Sequence, residues 1–208
     1  MKIIRKGMLL VLSGPAGAGK GTLGKALLAA DDTFYFSISA TTRKCRVTET
    51  PDVDYHFLSD DDFDALEKKG EFLETAIVHG HKYGTLKQPI IEKIEQGISV
   101  LLDIDSQGAK NVIKAYPSCV SVFILPPSFK VLEERLHTRN TEDPDEIARR
   151  LANGRKEVEQ LDNYDYVIVN DTRKDAFNKL MHIVKAERQR TNRYIPILTD
   201  ELGGYYGN

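Results

Sequence analysis

The stretch Met8-Leu-Leu-Val-Leu-Ser-Gly-Pro-Ala-Gly-Ala-Gly-Lys-Gly-Thr22 decides the fold of this chain. Its apolar start predicts a buried strand, its glycines predict a turn, and the segment 20–30 has the composition of a helix. Gly14, Gly19 and Lys20 meet the pattern G-x-x-x-x-G-K. Between a strand and a helix, this pattern predicts a phosphate-binding loop, whose backbone N–H groups and helix N-terminus face one anion.

Lys20 and a pair of acidic residues extend the prediction to a nucleotide and a metal ion. The Lys20 ammonium can follow the γ-phosphate of a bound triphosphate during transfer. Gly21 stands where the strict motif has Ser or Thr, so we expect the Thr22 hydroxyl to reach Mg²⁺, directly or through water. Asp103 and Asp105 end an apolar run, which places them beside the loop at the carboxyl edge of a parallel sheet.

We assign Asp103 to Mg²⁺ or its waters, a pair of solvated acids at a strand end being the alternative. The residues expected to bind the triphosphate are Gly14, Pro15, Ala16, Gly17, Ala18, Gly19, Lys20, Gly21 and Thr22.

Apolar strands alternate with helical segments along most of the chain, which predicts an α/β fold with a mainly parallel central sheet covered on both faces. The segment 39–97 interrupts this alternation with short, polar-edged strands, and we interpret it as an insertion that binds a ligand. Strands are expected at 8–13, 34–39, 55–58, 72–78, 98–103, 120–125 and 166–169. Helices are expected at 60–69, 86–96, 106–116, 128–138, 143–161 and 173–187.

The composition excludes several classes of protein. The 208 residues carry a formal net charge of -2, which argues against general nucleic-acid binding. The two cysteines provide neither a disulfide framework nor a zinc motif, and no apolar run approaches the ~18 residues of a membrane span. We therefore expect a cytoplasmic protein that binds no membrane, and we leave a homo-oligomer open.

The insertion contains a basic loop with Arg43, Lys44 and Arg46. Two arginines this close can fork around one phosphate, although a solvated basic loop is the default interpretation. Tyr55 and Tyr83 lie further along the insertion, and a tyrosine hydroxyl adds a neutral donor to a phosphate, although single tyrosines more often fill a core.

Glu74 is the candidate for base recognition. Guanine presents N1–H and N2–H₂ as parallel donors, which match the two oxygens of a carboxylate, whereas adenine N1 is a lone pair that a carboxylate repels. A buried polar site of this kind can reject the wrong base by ~10⁴ because groups are left unpaired. From spacing alone, however, an exposed strand glutamate is the default interpretation.

Ordered blocks along the chain resemble the guanylate kinase family over roughly residues 7–187. The phosphate loop alone is shared by many families, whereas the middle blocks are specific. The matching stretches are 13–23, 36–43, 53–57, 70–74, 83–85, 101–109, 123–128 and 166–171.

The resemblance implies ATP-dependent phosphorylation of GMP, and of dGMP, to GDP by direct in-line transfer with Mg²⁺, a step of purine nucleotide metabolism. It implies that Ser39, Glu74, Thr85 and Asp105 contact guanine, with Asp103 also on the GMP side. It implies that the GMP phosphate is held by Arg43, Arg46, Tyr55 and Tyr83. It further implies that Lys20, Arg43, Arg135, Arg139 and Arg150 act on the transferring phosphate.

The domain organisation implied is a single domain over 1–208. Its core comprises about 1–38, 98–136 and 151–190, with a GMP-binding insertion at 39–97, a mobile lid at 137–150 and a loosely held tail at 191–208. Three residues depart from the family pattern: Ala16 replaces a common Ser, Cys45 a frequent Pro, and Asn140 a frequent Gly. The change at Cys45 is expected to loosen the basic loop, which holds the GMP phosphate.

Three other functions remain as alternatives. A scaffold module of the same fold would bind phosphopeptides on a degraded phosphate loop, but here Lys20 and the full glycine set are present. A kinase acting on AMP or a sugar phosphate is disfavoured by Glu74 with Ser39 and Thr85. A signalling GTPase would need a guanine-selective loop of its own type, which the sequence does not show.

Overall fold

The computed structural model describes residues 5–47, 49–78, 80–138 and 144–194. Along these ranges the strands and helices, in chain order, are β1 (Leu9–Ser13), α1 (Lys20–Ala30), β2 (Phe34–Phe36), β3 (Ala40–Thr41), β4 (His56–Phe57), α2 (Asp60–Lys68), β5 (Phe72–Val78), β6 (His81–Leu86), α3 (Lys87–Glu95), β7 (Ser99–Asp103), α4 (Ser106–Ala115), β8 (Val120–Leu125), α5 (Phe129–Thr138), α6 (Pro144–Val158), β9 (Tyr166–Val169) and α7 (Arg173–Glu187).

The central sheet has five parallel strands in the order β2-β7-β1-β8-β9. Side chains of β1 alternate between two core layers. Leu10 and Leu12 pack with residues of α1 and α7, whereas Leu9 and Val11 pack with residues of α3 and α4. Because both faces are covered, all five residues of β1 are buried. The predicted α/β architecture with a covered parallel sheet is confirmed.

A second sheet, in the order β4-β3-β6-β5, forms beside the central sheet. β5 and β6 pair antiparallel over most of their length, and β3 pairs with β6. β6 was not predicted from the sequence. Its residues His-Lys-Tyr-Gly-Thr-Leu show no apolar alternation, and the strand pairs through its backbone. The expected strand 34–39 is shorter in the structure, where β2 ends at Phe36. A separate strand, β3, begins at Ala40 and belongs to the other sheet.

The second sheet and α2 lie within 39–97, the segment that the sequence predicts to be an insertion. At the end of this segment, α3 packs against the central sheet, because Ile90 and Ile94 are buried in the core layer that also contains Leu9 and Val11.

Side-chain caps define several helix starts. Ser59 accepts from the backbone N–H of Asp62 at the start of α2, and Asp105 and Thr172 cap α4 and α7. The helix expected over 143–161 ends earlier, at Val158, and a short 3-10 helix follows at Leu161–Asn163. No helix among the described residues combines the length and hydropathy needed to cross a membrane.

The chain after α7 is anchored as far as Tyr194. Arg193 is 8% exposed, and its guanidinium donates to the carbonyl oxygens of Glu187 at 2.9 Å and of Gly7 at 3.0 Å. Glu187 is itself buried and also accepts from the Tyr166 hydroxyl and pairs with Arg190. The expectation of a loose tail therefore does not hold for 191–194, and its remainder, 195–208, lies outside the described residues.

Arg193→Ala is expected to lower the free energy of unfolding by roughly 2–3 kcal/mol, because it leaves buried carbonyl groups without donors and removes a cation beside a buried carboxylate. Arg190→Ala is the matched control, since Arg190 pairs with the same Glu187 but is 56% exposed. Urea denaturation should show a loss within about 1 kcal/mol for the control. Equal losses for the two variants would contradict this anchoring role.

Candidate active site

The phosphate loop connects β1 to α1 with a backbone that requires glycine. Gly14, Gly17 and Gly19 have φ angles of 133°, 88° and 100°. A Cβ at Gly14 would lie 2.3 Å from the carbonyl oxygen of Ile124, so this position excludes every larger residue. Lys20 Nζ donates to the carbonyl oxygens of Gly14 at 2.5 Å and Pro15 at 3.2 Å, so its ammonium lies over the loop.

Asp103 lies beside the start of α1, where the sequence departs from the strict motif. A Cβ at Gly21 would be 3.2 Å from Asp103 Oδ2, so glycine leaves room for this carboxylate. A cavity of about 400 Å³ contacts Lys20, Thr22 and Asp103 together. Burial raises the pKa of Asp103, and the charge of Lys20 opposes that rise.

The donor set suits Mg²⁺, which prefers few protein oxygens together with phosphate oxygens and water. The Thr22 hydroxyl and the Asp103 carboxylate are ligands of that type, on one cavity. Within the described ranges no cluster of three or more His, Cys, Asp or Glu side chains could hold a metal by itself. The residues therefore fit an ion that arrives with a nucleotide better than a permanently bound one.

Glu74 is a buried carboxylate on β5, not the exposed strand residue that spacing alone suggests. It is 8% exposed, and its Oε1 accepts from the Thr85 hydroxyl at 2.7 Å. Its Oε2 is buried and has no hydrogen-bond partner among the described residues. Burial raises the pKa of Glu74 to about 7; the Asp105 charge adds to this rise and the Thr85 hydrogen bond opposes it.

Glu74 lines a cavity of about 220 Å³ beside the cleft at the phosphate loop. A cavity of about 520 Å³ contacts Lys20 and Arg150, and both cavities share a wall that includes Asp103 and Asp105. The expected residues Ser39, Tyr55, Glu74, Tyr83, Asp103 and Asp105 all line the smaller cavity. The structure thus places these side chains on a cavity next to the one that contacts Lys20.

Thr85 and Asp105 each make hydrogen bonds within the protein. Thr85 is fully buried, and its hydroxyl donates to Glu74, which in turn lines the cavity. Asp105 Oδ1 accepts from the backbone N–H groups of Gln107 and Gly108 at the start of α4. These bonds hold Asp105 at the wall of the cavity.

The basic loop lies at the edge of the smaller cavity. Arg43 Nε donates to the Tyr83 hydroxyl at 3.2 Å, and its guanidinium carbon lies 5.3 Å from the centroid of the Tyr55 ring. Glu49 accepts two hydrogen bonds from Arg43, at 2.8 and 3.0 Å, and the sequence analysis did not single out this glutamate. The side chain of Arg46 is exposed to solvent.

The remaining arginines flank the phosphate loop. Arg135 on α5 donates to the carbonyl oxygen of Asn170, and Arg150 on α6 pairs with Glu146 at 3.0 Å. Leu136 of α5 and Ile147 of α6 are buried in one apolar cluster, so the two helices that border the expected lid pack together. Arg139 lies outside the described residues.

Asn170 and Arg173 were missed by the sequence analysis. Asn170 donates from its side chain to the carbonyl oxygen of Ala18 in the phosphate loop at 2.7 Å. A cavity of about 330 Å³ on this side of the loop contacts Asn170, Arg173 and Arg135. The strand-end rule that selected Asp103 applies equally to Asn170, which follows β9, so a signal for it was present.

Comparison with known proteins agrees with this geometry. The family model described as Guanylate kinase matches residues 6–187. The guanylate kinase of Clostridioides difficile (strain 630) is 42% identical over 199 residues, which cover 96% of this chain and 97% of that protein. The guanylate kinase of Carboxydothermus hydrogenoformans is 44% identical over 190 residues, which cover 91% and 93%.

A solved structure adds the three-dimensional match. The crystal structure of guanylate kinase from Anaplasma phagocytophilum superimposes with a TM-score of 0.79 at 31% identity, covering 99% of this chain and 97% of the other. Since the family model spans nearly all of the described fold and the relatives align over almost their whole length, this chain belongs to the guanylate kinase family.

Proposed function

We propose that this cleft holds ATP and GMP side by side and that the γ-phosphoryl group passes directly, in line, from one to the other. The activity, ATP-dependent phosphorylation of GMP to GDP, is that of the family to which the chain belongs. The observation that carries the residue assignment is the buried Oε2 of Glu74, which has no hydrogen-bond partner among the described residues. Glu74 lines a cavity whose wall at Asp103 and Asp105 is shared with the cavity at Lys20.

Guanine recognition rests on Glu74. Its two carboxylate oxygens match the parallel N1–H and N2–H₂ donors of guanine, and Thr85 fixes the carboxylate by donating to Oε1. Ser39 and Asp105 complete the lining beside it. Adenine would place a lone pair against the carboxylate and leave a buried charge without a donor. None of these contacts involves the ribose 2′-hydroxyl, so we propose dGMP as a second acceptor.

The triphosphate end of ATP is assigned to the phosphate loop. We assign the anion to backbone N–H groups of the phosphate loop and to the N-terminus of α1, and the ammonium of Lys20 moves from the loop carbonyl groups to the phosphates. We assign the base and ribose of ATP to the cavity lined by Arg135, Asn170 and Arg173, on the other side of the loop.

Mg²⁺ would be held by the Thr22 hydroxyl and the Asp103 carboxylate, directly or through water, and would neutralise phosphate charge when bound. The chain's own residues supply the rest. Lys20 and Arg150 line the same cavity, and we assign both charges to the transferring phosphate. No protein nucleophile is required, because a GMP phosphate oxygen attacks the γ-phosphorus while the bond to the ADP oxygen breaks.

Arg135 and Arg150 lie on α5 and α6, the two helices that border the expected lid, and we propose that they approach the transferring phosphate when the lid closes. Closure would exclude water, which otherwise competes with GMP as acceptor. We also propose a reducing compartment, the cytoplasm, because Cys45 and Cys119 are both free thiols.

The proposed function is tested by measuring ADP release in a coupled assay with Mg-ATP and each of GMP, dGMP, AMP, CMP and UMP. GMP and dGMP are expected to be the acceptors, with AMP rejected by roughly 10⁴ in kcat/KM because Glu74 repels adenine N1. Comparable turnover of AMP, or no ADP release with any monophosphate, would contradict the assignment.

Lys20→Met is expected to reduce kcat for GMP phosphorylation by roughly a hundredfold or more, because the ammonium stabilises charge that develops during transfer. The matched control is Lys110→Met, which removes an exposed lysine from α4 and should leave kcat within about twofold. The GMP dissociation constant, measured without ATP, should stay near the wild-type value in both. Near-normal turnover of Lys20→Met would refute the role given to Lys20.

A further inference from the structure

Glu49 is the centre of a hydrogen-bond network in the basic loop. Its Oε1 accepts from Arg43 Nη2 at 2.8 Å, and its Oε2 accepts from Arg43 Nη1 at 3.0 Å and from the backbone N–H of Arg46 at 2.8 Å. The side chains of Arg43 and Glu49 are 12% and 14% exposed. We propose that Glu49 is a positioning residue, which fixes the Arg43 guanidinium for the phosphate of GMP. This inference rests on the proposed function.

Glu49 closes a turn in the basic loop. The backbone N–H of Glu49 donates to the carbonyl oxygen of Arg46 at 3.0 Å, while the backbone N–H of Arg46 donates to the Glu49 carboxylate. Cys45 Sγ adds weak contacts to the carbonyl oxygens of the same two residues. These reciprocal bonds restrain the loop around Cys45.

Hydrogen bonds fix the orientation of the Arg43 guanidinium. A guanidinium has five N–H donors, and in the described contacts four of them are engaged. Nε donates to the Tyr83 hydroxyl, Nη1 donates to the carbonyl oxygen of Lys44 and to Glu49, and Nη2 donates to Glu49. The guanidinium is therefore held in one orientation, beside the two tyrosines that line the Glu74 cavity.

The basic loop keeps a net positive charge although Glu49 is ionised. Arg43, Lys44 and Arg46 carry three positive charges against the single charge of Glu49, so the loop keeps a net charge that attracts a phosphate. Hydrogen bonding from Arg43 lowers the pKa of Glu49, which keeps the carboxylate ionised. A prearranged cation loses less conformational entropy when the phosphate binds, and affinity rises accordingly.

The opposite role would be a placeholder, in which the Glu49 carboxylate occupies the site of the phosphate and must leave it. The geometry favours positioning, because leaving would also break the Oε2 bond to the Arg46 backbone that closes the turn. The two roles predict opposite signs for the effect of neutralising Glu49 on GMP affinity.

The test compares Glu49→Gln with Asp61→Asn, an exposed carboxylate on α2 that controls for the loss of one negative charge in the same inserted unit. Glu49→Gln is expected to raise the KM for GMP roughly tenfold, with kcat and the KM for ATP within about twofold. Guanosine, which lacks the phosphate, should inhibit the wild type and Glu49→Gln with equal constants. Glu49→Asp, which keeps the charge, should recover part of the loss, and Asp61→Asn should resemble the wild type.

A lower KM for GMP in Glu49→Gln would overturn the proposal in favour of the placeholder, and an unchanged KM would overturn it outright. An equal weakening of guanosine or of ATP would show a general structural role and would also overturn it. These outcomes all presuppose that the wild type phosphorylates GMP. A wild type that lacks this activity would instead contradict the proposed function.

Discussion

A buried carboxylate with one oxygen that no donor among the described residues reaches is the constraint on which the site depends. Glu74 accepts from Thr85 through Oε1, and the charge of Asp105 lies nearby. An unpaired buried charge is costly, so this arrangement is unfavourable until a ligand supplies donors. Guanine supplies two of them, and therefore the same desolvation that strains the empty site generates selectivity for the base.

The free-energy cost of burying the ionised Glu74 carboxylate depends on pH. The pKa of Glu74 in the folded protein, about 7, lies above its ordinary value of 4.5, so the folded state binds this proton more tightly than the unfolded state does. The contribution of Glu74 to stability is therefore most favourable below about pH 4.5 and is lost as the pH rises through 7. At pH 8 the empty protein carries the full cost of the ionised carboxylate, and bound guanine offsets it. The ionised form of Glu74 thus binds guanine but destabilises the empty folded protein.

The sequence predicted what is encoded locally. The strand, glycine turn and helix around Lys20 follow from a run of contiguous residues, and the buried strands β7 and β8 follow from apolar runs. β6 could not be predicted, because its pairing with β5 and β3 is a nonlocal property of the backbone. The burial of Glu74 was equally inaccessible from spacing, since it depends on β6 and α4 packing against β5.

The contact of Glu49 with Arg43 could not be predicted from the sequence either. An acid six residues after Arg43 is an ordinary loop residue in the sequence, and only the folded turn brings its carboxylate to the guanidinium. Asn170 differs, because its place after a buried strand was a usable signal. The chemistry of single residues was thus predictable, whereas the contacts that orient them arise from the tertiary fold.

The most direct test of Glu74 as the guanine ligand is the dissociation constant of GMP from pH 5.5 to 8.5 for the wild type and Glu74→Gln. Below about pH 7 guanine must displace the proton of Glu74, so the advantage of the wild type over the variant should grow roughly tenfold per pH unit and level off above 7. The phosphate of GMP titrates in both proteins, and their ratio removes its effect. A ratio independent of pH, or one that grows toward acid, would contradict the account.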